Sequence, residues 1–168
     1  MVKAIFERRS IRKYNNKPIK EKDIERLLRA AMAAPSAGNQ QPWEFIIIKD
    51  KNIMLKITEF HPYSQMLKEA QLTITVCGDP QKEIKHSGYW VQDCSAATEN
   101  ILIEATHLKI GSVWLGVYPD KDRVDNMRKL LQIPDGIIPF SIISLGYPAE
   151  VKGPSERFDA KRIHENIW

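Results

Sequence analysis

The sequence lacks the short motifs of most enzymes that act through their own side chains. It contains no GxGxxG or GxxxxGK[ST] phosphate-binding loop and no GxSxG motif, because Ser112 stands in Gly-Ser-Val-Trp. The four histidines, His61, His86, His107 and His164, do not share a metal-ligand spacing. These absences argue against nucleotide binding by those loops and against serine hydrolysis, and no metal is expected. A bound cofactor that brings its own reactivity is the better prediction.

Cysteines and long apolar runs are also scarce. Cys77 and Cys94 form neither a CxxC pair nor a disulfide framework, so a reducing, cytoplasmic location is expected. The longest apolar runs, such as Ile46–Ile48, are far too short to span a bilayer. The first seven residues show no apolar segment of the signal-peptide type, so neither export nor a membrane partner is expected.

The charge of the chain is modest and well mixed. The 168 residues carry 25 Lys and Arg against 21 Asp and Glu, a net charge of +4. Basic and acidic residues alternate at 20–23 and 120–123, which is typical of solvated helix faces, so no nucleic-acid partner is expected. The length predicts one domain, residues 1–168, and 43% hydrophobic content is that of a globular protein.

Hydrophobic periodicity predicts helices alternating with strands. The predicted helices span about 2–9, 21–33, 52–60, 89–108 and 120–131, and the predicted strands 45–48, 72–77, 111–116 and 140–145. The helix over 89–108 keeps apolar spacing for five turns and should be the central core helix. The run at 45–48 is expected to be a strand buried on both faces. This order of elements indicates an α/β or α+β sandwich.

The C-terminal residues 149–168 are polar except for a few apolar side chains near the end. Ile163, Ile167 and Trp168 give this arm something to bury, although chain ends normally fray unless they are held. The arm could dock on the core of its own chain or on a partner subunit. The residues alone leave both alternatives open.

Two polar segments suggest a ligand site. Arg8, Arg9 and Arg12 lie within five residues, with Ser10 between them. Guanidinium groups that converge on a phosphate contribute about 1.5–3 kcal/mol per contact. The alternative is a basic helix end that simply complements the helix dipole.

The second segment, residues 35–43, places hydroxyl and amide side chains and a glycine between two prolines, with Trp43 at its end. It joins a predicted helix to a predicted strand and offers many hydrogen-bonding groups. Together with the arginines it indicates a polar, phosphorylated, planar ligand. The alternative is a turn whose side chains face water.

The order and spacing of these segments resemble those of the FMN-dependent nitroreductase family. The resemblance covers essentially the whole chain, and its most specific part is the second of the four stretches that carry it. They are Arg8-Arg9-Ser10-Ile11-Arg12, Pro35-Ser36-Ala37-Gly38-Asn39-Gln40-Gln41-Pro42-Trp43, Gly111-Ser112-Val113-Trp114-Leu115-Gly116, and Leu145-Gly146-Tyr147-Pro148 followed by Arg157. The resemblance implies an α+β fold, a three-layer α/β/α sandwich in which helices flank a central mixed sheet. It also implies an intertwined homodimer with two FMN molecules at the interface, in which the arm 149–168 packs on the partner.

The resemblance also assigns cofactor-binding residues. The phosphate, the ribityl chain and the pyrimidine edge would be contacted by Arg8, Arg9, Ser10, Arg12 and Arg157. The other subunit would contribute Pro35, Ser36, Ala37, Asn39 and Gln41. Backbone contacts over the ring would come from Val113, Trp114, Leu115 and Gly116, and Gln65 is a weaker candidate. Arg12 is the candidate for stabilising negative charge at the N1–O2 edge of the flavin.

The implied function is hydride transfer from NAD(P)H through flavin N5 to a nitroaromatic, quinone or similar acceptor, by a ping-pong mechanism without a catalytic side chain. The chain is a short member, since only residues 78–88 are available where classical members carry a longer excursion. Tyr89 and Trp90 could form the substrate rim or merely cap the long helix. A flavin-storage protein and a specialised dehalogenase or flavin-cleaving enzyme are the alternative functions.

Overall fold

The computed structural model describes residues 2–168, and its helices and strands follow the predicted order. The helices are α1 (Lys3–Glu7), α2 (Glu21–Met32), α3 (Lys51–Phe60), α4 (Trp90–His107) and α5 (Lys121–Leu131). The strands are β1 (Trp43–Ile48), β2 (Leu72–Gly78), β3 (Gly111–Gly116) and β4 (Ile138–Gly146). Short 3₁₀ turns lie at Ala37–Asn39, Gln65–Lys68, Pro80–Lys82 and Ala160–Arg162. All nine predicted elements are confirmed, with ends that differ by a few residues.

The four strands form one sheet in the order β1-β2-β4-β3, and every neighbouring pair is antiparallel. Parallel pairing among the described residues is limited to an isolated bridge between Ser10 and Ser112. The expected mixed character of the sheet is therefore reduced to this single bridge. The pattern of helices and strands could not show this, because it does not encode strand direction.

The prediction that residues 45–48 form a strand buried on both faces is wrong. β1 lies at the edge of the sheet, and Ile47 in its middle is 41% exposed. Only Trp43 and Ile48, the two ends of the strand, are buried. An apolar run is compatible with a central or an edge strand, and the position in the sheet decides which is formed.

Helices cover both faces of the sheet. On one face, α2 and α4 pack against β2 and β4, with Leu27, Cys94, Ala97, Ile101 and Ala105 fully buried at helical spacing. This arrangement confirms α4 as the central core helix. A second layer of helices on the opposite face, described next, completes the three-layer α/β/α sandwich.

On that second face, α3 and α5 pack against β3 and β4. Met54 and Ile57 of α3 and Met127 of α5 have no exposed surface, and they meet Val113 and Leu115 of β3. Val113 and Leu115 point to this core because side chains alternate along a strand.

The C-terminal arm leaves the sheet after β4 and stays exposed. Phe158 is 75% exposed, Ile163 58%, Ile167 82% and Trp168 98%. Docking of these side chains on the core of their own chain is therefore wrong. Packing of the arm 149–168 on a partner stays a prediction. The single domain over residues 1–168 also stays a prediction, and Met1 lies outside the described residues.

Candidate cofactor site

The segment that carries the predicted arginines is held on both sides by other parts of the chain. On one side, Ser10 bridges Ser112 of β3, and the Ile11 N–H donates to the Ser112 carbonyl at 2.9 Å. On the other side, the Ala149 N–H donates to the Lys13 carbonyl at 2.9 Å. The segment therefore extends the sheet at the free edge of β3.

Two residues that the sequence analysis did not single out, Tyr14 and Glu150, hold the arginine segment by hydrogen bonds to its backbone. The buried Tyr14 hydroxyl donates to the Ile11 carbonyl at 2.7 Å, and burial raises the pKa of this hydroxyl. Its ring rests on Gly146, where an added Cβ would lie 2.7 Å from a ring carbon. The Glu150 carboxylate accepts the Arg12 N–H at 2.5 Å, a bond that lowers the pKa of Glu150. A tyrosine two residues after Arg12 is too common a signal to predict this role.

A cavity of about 480 Å³ opens beside the segment and is called the Arg12 cavity here. Its walls are formed by Arg12, His61, Pro62, Tyr63, Gln65, Met66, Trp114, Leu115 and Gly116. The structure thus brings together five of the predicted cofactor-binding residues, including the weak candidate Gln65. Val113 differs, because its side chain lies in the core and its N–H and C=O groups face β4, so it offers no hydrogen-bonding group to the cavity.

The free edge of β3 supplies backbone groups to the Arg12 cavity. Alternate residues of an edge strand point their N–H and C=O groups outward. The outward Ser112 carbonyl is taken by Ile11, and the Gly116 carbonyl accepts from His61 at 2.9 Å and from Arg123 at 3.1 Å. Between them, the outward backbone groups of Trp114 have no partner within residues 2–168. They are available to a ligand at the cavity wall.

Gly116 leaves room in the same wall. A Cβ built there meets no atom within 4 Å, so no neighbouring group of the chain requires a glycine at this position. Gly116 lines the Arg12 cavity, so the open space at this position borders that cavity. A volume of 480 Å³ is within the range of roughly 300–1,000 Å³ that is usual for cofactor pockets.

A second cavity of about 240 Å³, called the Arg8 cavity here, lies at the other end of the segment. It is lined by Ile5, Phe6, Arg8, Arg9, Ser155, Glu156, Arg157 and Phe158. Three predicted arginines therefore meet although Arg157 is distant in sequence. Ser10 lies outside this lining, and its carbonyl accepts a hydrogen bond from Lys152 at 2.5 Å.

The three arginines differ in the donors that they retain. Arg9 links two segments of the chain, because its guanidinium donates to the carbonyls of Gly153 at 2.9 Å, Phe6 at 2.9 Å and Arg8 at 2.6 Å. Arg8 forms one ion pair with Glu99 at 3.2 Å, and Arg157 donates to Ser155 at 2.9 Å. A guanidinium has five N–H donors, so Arg8 and Arg157 keep most of theirs for an anion.

The loop 35–41 forms a compact turn with unusual backbone angles. Gly38, Asn39 and Gln41 have φ values of +56°, +56° and +50°. Ser36 Oγ accepts the Gln41 N–H at 3.0 Å, and the Gln41 amide donates to Asn39 Oδ1 at 3.1 Å. No residue of this loop, which includes Pro35 and Ala37, lines the Arg12 cavity or the Arg8 cavity. Within one chain, the two predicted halves of the site therefore stay apart.

Asp93 of α4 holds this loop and was not predicted to do so. The carboxylate is 5% exposed, its Oδ1 accepts the Ala37 N–H at 3.1 Å, and burial raises its pKa. A charged residue directly before the buried Cys94 was the available signal, since charges are rarely buried without a partner.

The prediction that Trp90 lies at a substrate rim needs correction. Trp90 is 7% exposed and packs edge-on against Tyr118 and Phe140, with ring centroids 4.8 and 6.1 Å away. Gly78 makes room for it, because a Cβ there would lie 2.2 Å from the indole. Trp90 is thus a core residue that begins α4. Tyr89 is 50% exposed and stays a prediction.

Within residues 2–168, no group of three or more His, Cys, Asp and Glu residues is placed to hold a metal ion. None of the helices described in this range is both long and apolar enough to cross a membrane.

Comparison with known proteins places the chain among enzymes with this sandwich fold. The model of the Nitroreductase family matches residues 5–62 and 58–147. The chain belongs to the Nitroreductase family, which confirms the resemblance of its motifs.

Several relatives match over nearly their whole length. The "Putative NADH dehydrogenase/NAD(P)H nitroreductase" of Archaeoglobus fulgidus is 50% identical over 99% of this chain and 98% of its own. The structure of a "Putative NADH Oxidase" from Clostridium acetobutylicum has a TM-score of 0.94 at 48% identity, covering 98% of this chain and 99% of the other. The structure of an FMN-dependent nitroreductase from Clostridium difficile has a TM-score of 0.91 at 29% identity and covers all of both chains.

Proposed function

We propose that this protein is an NAD(P)H-dependent oxidoreductase with FMN as its cofactor, reducing a nitroaromatic, quinone or similar acceptor by a ping-pong mechanism. The observation that carries this proposal is the Arg12 cavity, in which family-predicted residues from three separate stretches of sequence meet. When bound, FMN supplies the hydride-accepting N5 position, so the chain needs no nucleophile of its own.

The Arg12 cavity fits the isoalloxazine ring. Gly116 leaves the space for a planar group, and Trp114 offers free backbone donors and acceptors along one edge. Arg12 and Gln65 would hold the polar pyrimidine edge. A guanidinium at that edge would stabilise negative charge that develops on the ring.

The Arg8 cavity fits the phosphate end of the same cofactor. Arg8 and Arg157 retain free donors there, and paired guanidinium contacts are the favoured way to bind a phosphate. The four-residue step from Arg8 to Arg12 spans at most about 14 Å. One ligand lying along this segment could therefore reach both cavities. Arg9 would act indirectly, by fastening the C-terminal segment that carries Arg157.

We also propose a homodimer in which a second copy supplies the loop 35–41 to the site. Support comes from the separation of this loop from both cavities within one chain, and from exposed apolar side chains on the arm and on α1, where Phe6 is 57% exposed. Light scattering at known protomer concentration would give twice the 19.3 kDa chain mass. A monomer that nevertheless binds FMN tightly would contradict the dimeric site.

The two cysteines are not part of the proposed chemistry. Burial raises the pKa of Cys77 to about 12 and also raises that of Cys94, and both thiols are free. The thiolate is the reactive form of cysteine, so neither residue is suited to redox exchange. A cytoplasmic location stays a prediction.

The visible absorbance spectrum of the purified protein tests the proposed function. We expect a flavin spectrum that bleaches with NADH or NADPH under anaerobic conditions and returns when a nitroaromatic or quinone is added. A flavin that does not bleach would contradict the NAD(P)H oxidoreductase and favour storage. A colourless protein that also fails to bind added FMN would overturn the proposal.

A further inference from the structure

A buried histidine at the end of α3 contacts the wall of the Arg12 cavity. His61 is 1% exposed, and its Nε2 lies 2.9 Å from the carbonyl oxygen of Gly116. A carbonyl oxygen can only accept, so the Nε2 atom of His61 must carry the proton. The hydrogen bond joins the last residue of β3 to the helical layer below it.

The other ring nitrogen limits what His61 can do. Its Nδ1 atom is buried and has no hydrogen-bond partner within residues 2–168. A second proton on the ring would sit on Nδ1 without an acceptor, and burial with the neighbouring Arg123 lowers the pKa of His61. The ring is therefore a neutral donor rather than a proton source for the reaction.

A second donor reaches the same carbonyl oxygen from α5. Arg123 Nη1 donates to Gly116 at 3.1 Å, while its Nε pairs with Asp120 at 3.2 Å. Asp120 in turn begins α5 by accepting the Arg123 N–H at 3.1 Å. The guanidinium is thus fixed before it contacts Gly116, and two helices from one layer hold one peptide group.

This contact bears on the cavity because of the geometry of β3. The Gly116 carbonyl points away from β4, on the same outward edge as the free backbone groups of Trp114. Beyond Gly116 the chain turns, with the N–H groups of Val117 and Tyr118 both bonded to Phe140. Without the two donors, the end of β3 would be held on one edge only.

We propose that His61 and Arg123 act as a two-donor clamp that positions the Trp114–Gly116 edge against the flavin. This inference rests on the proposed function, because it assigns a role at the same cofactor site. Both are positioning residues, since the clamp works through the Gly116 peptide and neither needs to contact the reacting atoms.

The clamp can be tested with paired variants of the full-length protein. His61→Leu and Arg123→Met remove the donors, while His61→Gln keeps an N–H near the position of Nε2. His107→Leu, an exposed position on α4, is the matched control. The readouts are the Kd for FMN, the midpoint potential of bound FMN, and hydrogen exchange of the Val117 amide in the FMN-free protein.

We expect His61→Leu to raise the FMN Kd about threefold to tenfold, in line with the loss of one hydrogen bond. A tenfold loss of relative affinity for the reduced cofactor would lower the midpoint potential by about 30 mV. Val117 should exchange faster, and Arg123→Met should act in the same direction. His61→Gln should restore most of each property, and His107→Leu should match the wild type.

The outcomes separate the clamp from the proposed function. If the wild type binds FMN and folded His61→Leu keeps its Kd, potential and exchange rate, the clamp is wrong and the proposed function stands. Equal defects in His61→Gln and His61→Leu would also refute it, because ring size rather than the donor would then matter. A wild type that binds no FMN overturns the proposed function and, with it, the positioning role.

Discussion

Two glycines at the ends of neighbouring strands should differ in how much stability they lose on substitution by alanine. Gly146 ends β4, and a Cβ there would lie 2.7–2.8 Å from three atoms of the buried Tyr14. Gly116 ends β3, and a Cβ there would meet nothing within 4 Å. Neither residue has a positive φ, so the difference between the two substitutions is steric.

For Gly146→Ala the magnitude follows from the overlap. Ordinary contacts of a Cβ begin at 3.4 Å, so the Tyr14 ring must retreat by roughly 0.7 Å. Overpacking of this kind costs about 1–3 kcal/mol. For a chain of this length each kcal/mol lowers Tm by about 2–4 °C, so a loss of about 2 kcal/mol corresponds to roughly 4–8 °C. FMN affinity should fall as well, because Tyr14 supports the segment that carries Arg12.

For Gly116→Ala we expect a loss of FMN affinity without a loss of stability. Stability should stay within about 0.5 kcal/mol of the wild type, as for substitutions that create no clash. The new methyl group would narrow the border of the Arg12 cavity proposed for the flavin ring, so the FMN Kd should rise at least about tenfold, the equivalent of about 1.4 kcal/mol.

The assay is a thermal melt of each FMN-free variant at one fixed protomer concentration, followed by titration with FMN. Fixing the concentration matters because dimerisation contributes to apparent stability. A Gly146→Ala protein with wild-type Tm would refute the packing argument. A Gly116→Ala protein that loses stability but binds FMN normally would refute the assignment of the Arg12 cavity.

Three further predictions concern single side chains. Arg12→Ala should weaken FMN binding by roughly 10- to 150-fold, which corresponds to the loss of a charge-assisted contact of about 1.5–3 kcal/mol. It should also lower the midpoint potential of bound FMN. An unchanged potential in a redox titration would refute the role of Arg12 at the N1–O2 edge. Asp93→Ala should lower the free energy of unfolding by about 1–3 kcal/mol in a denaturant melt, because the Ala37 N–H loses its acceptor. Asp93→Asn should retain this hydrogen bond, and equal losses in the two variants would contradict the assignment. Burial holds the pKa of His61 below its ordinary 6.5, so as pH falls below about 6.5 the unfolded state binds a proton that the folded state does not, and stability is lost. The drop in Tm from pH 7.5 to 5.5 should therefore be smaller in His61→Gln than in the wild type. An unchanged drop would refute this linkage.

Most elements of the fold could be predicted because their signals are local. The apolar spacing along α4 and the β-branched run of β2 each extend over one element, and both appear where expected. The position of Trp90 could not be predicted, because its burial depends on the missing side chain of Gly78 on another element. The edge position of β1 depends likewise on which strands find partners in the sheet.

The candidate site divides in the same way. Arg12, Gln65 and Trp114 were found through motifs and do line one cavity. Tyr14 and Asp93 were missed because their roles are hydrogen bonds to backbone groups, of Ile11 and Ala37 respectively, which no residue type announces. A carboxylate or hydroxyl that bonds the backbone has the same sequence signature as one that faces water.

The sequence by itself determined the helices and strands, the arginine segment and the family to which the chain belongs, since each depends on residue types at short spacing. Only the tertiary structure decided the antiparallel order of the strands and the contact of His61 and Arg123 with Gly116. The physical reason is that these features depend on which elements pack together. Packing is chosen by the burial of the whole apolar surface, to which every element contributes at once.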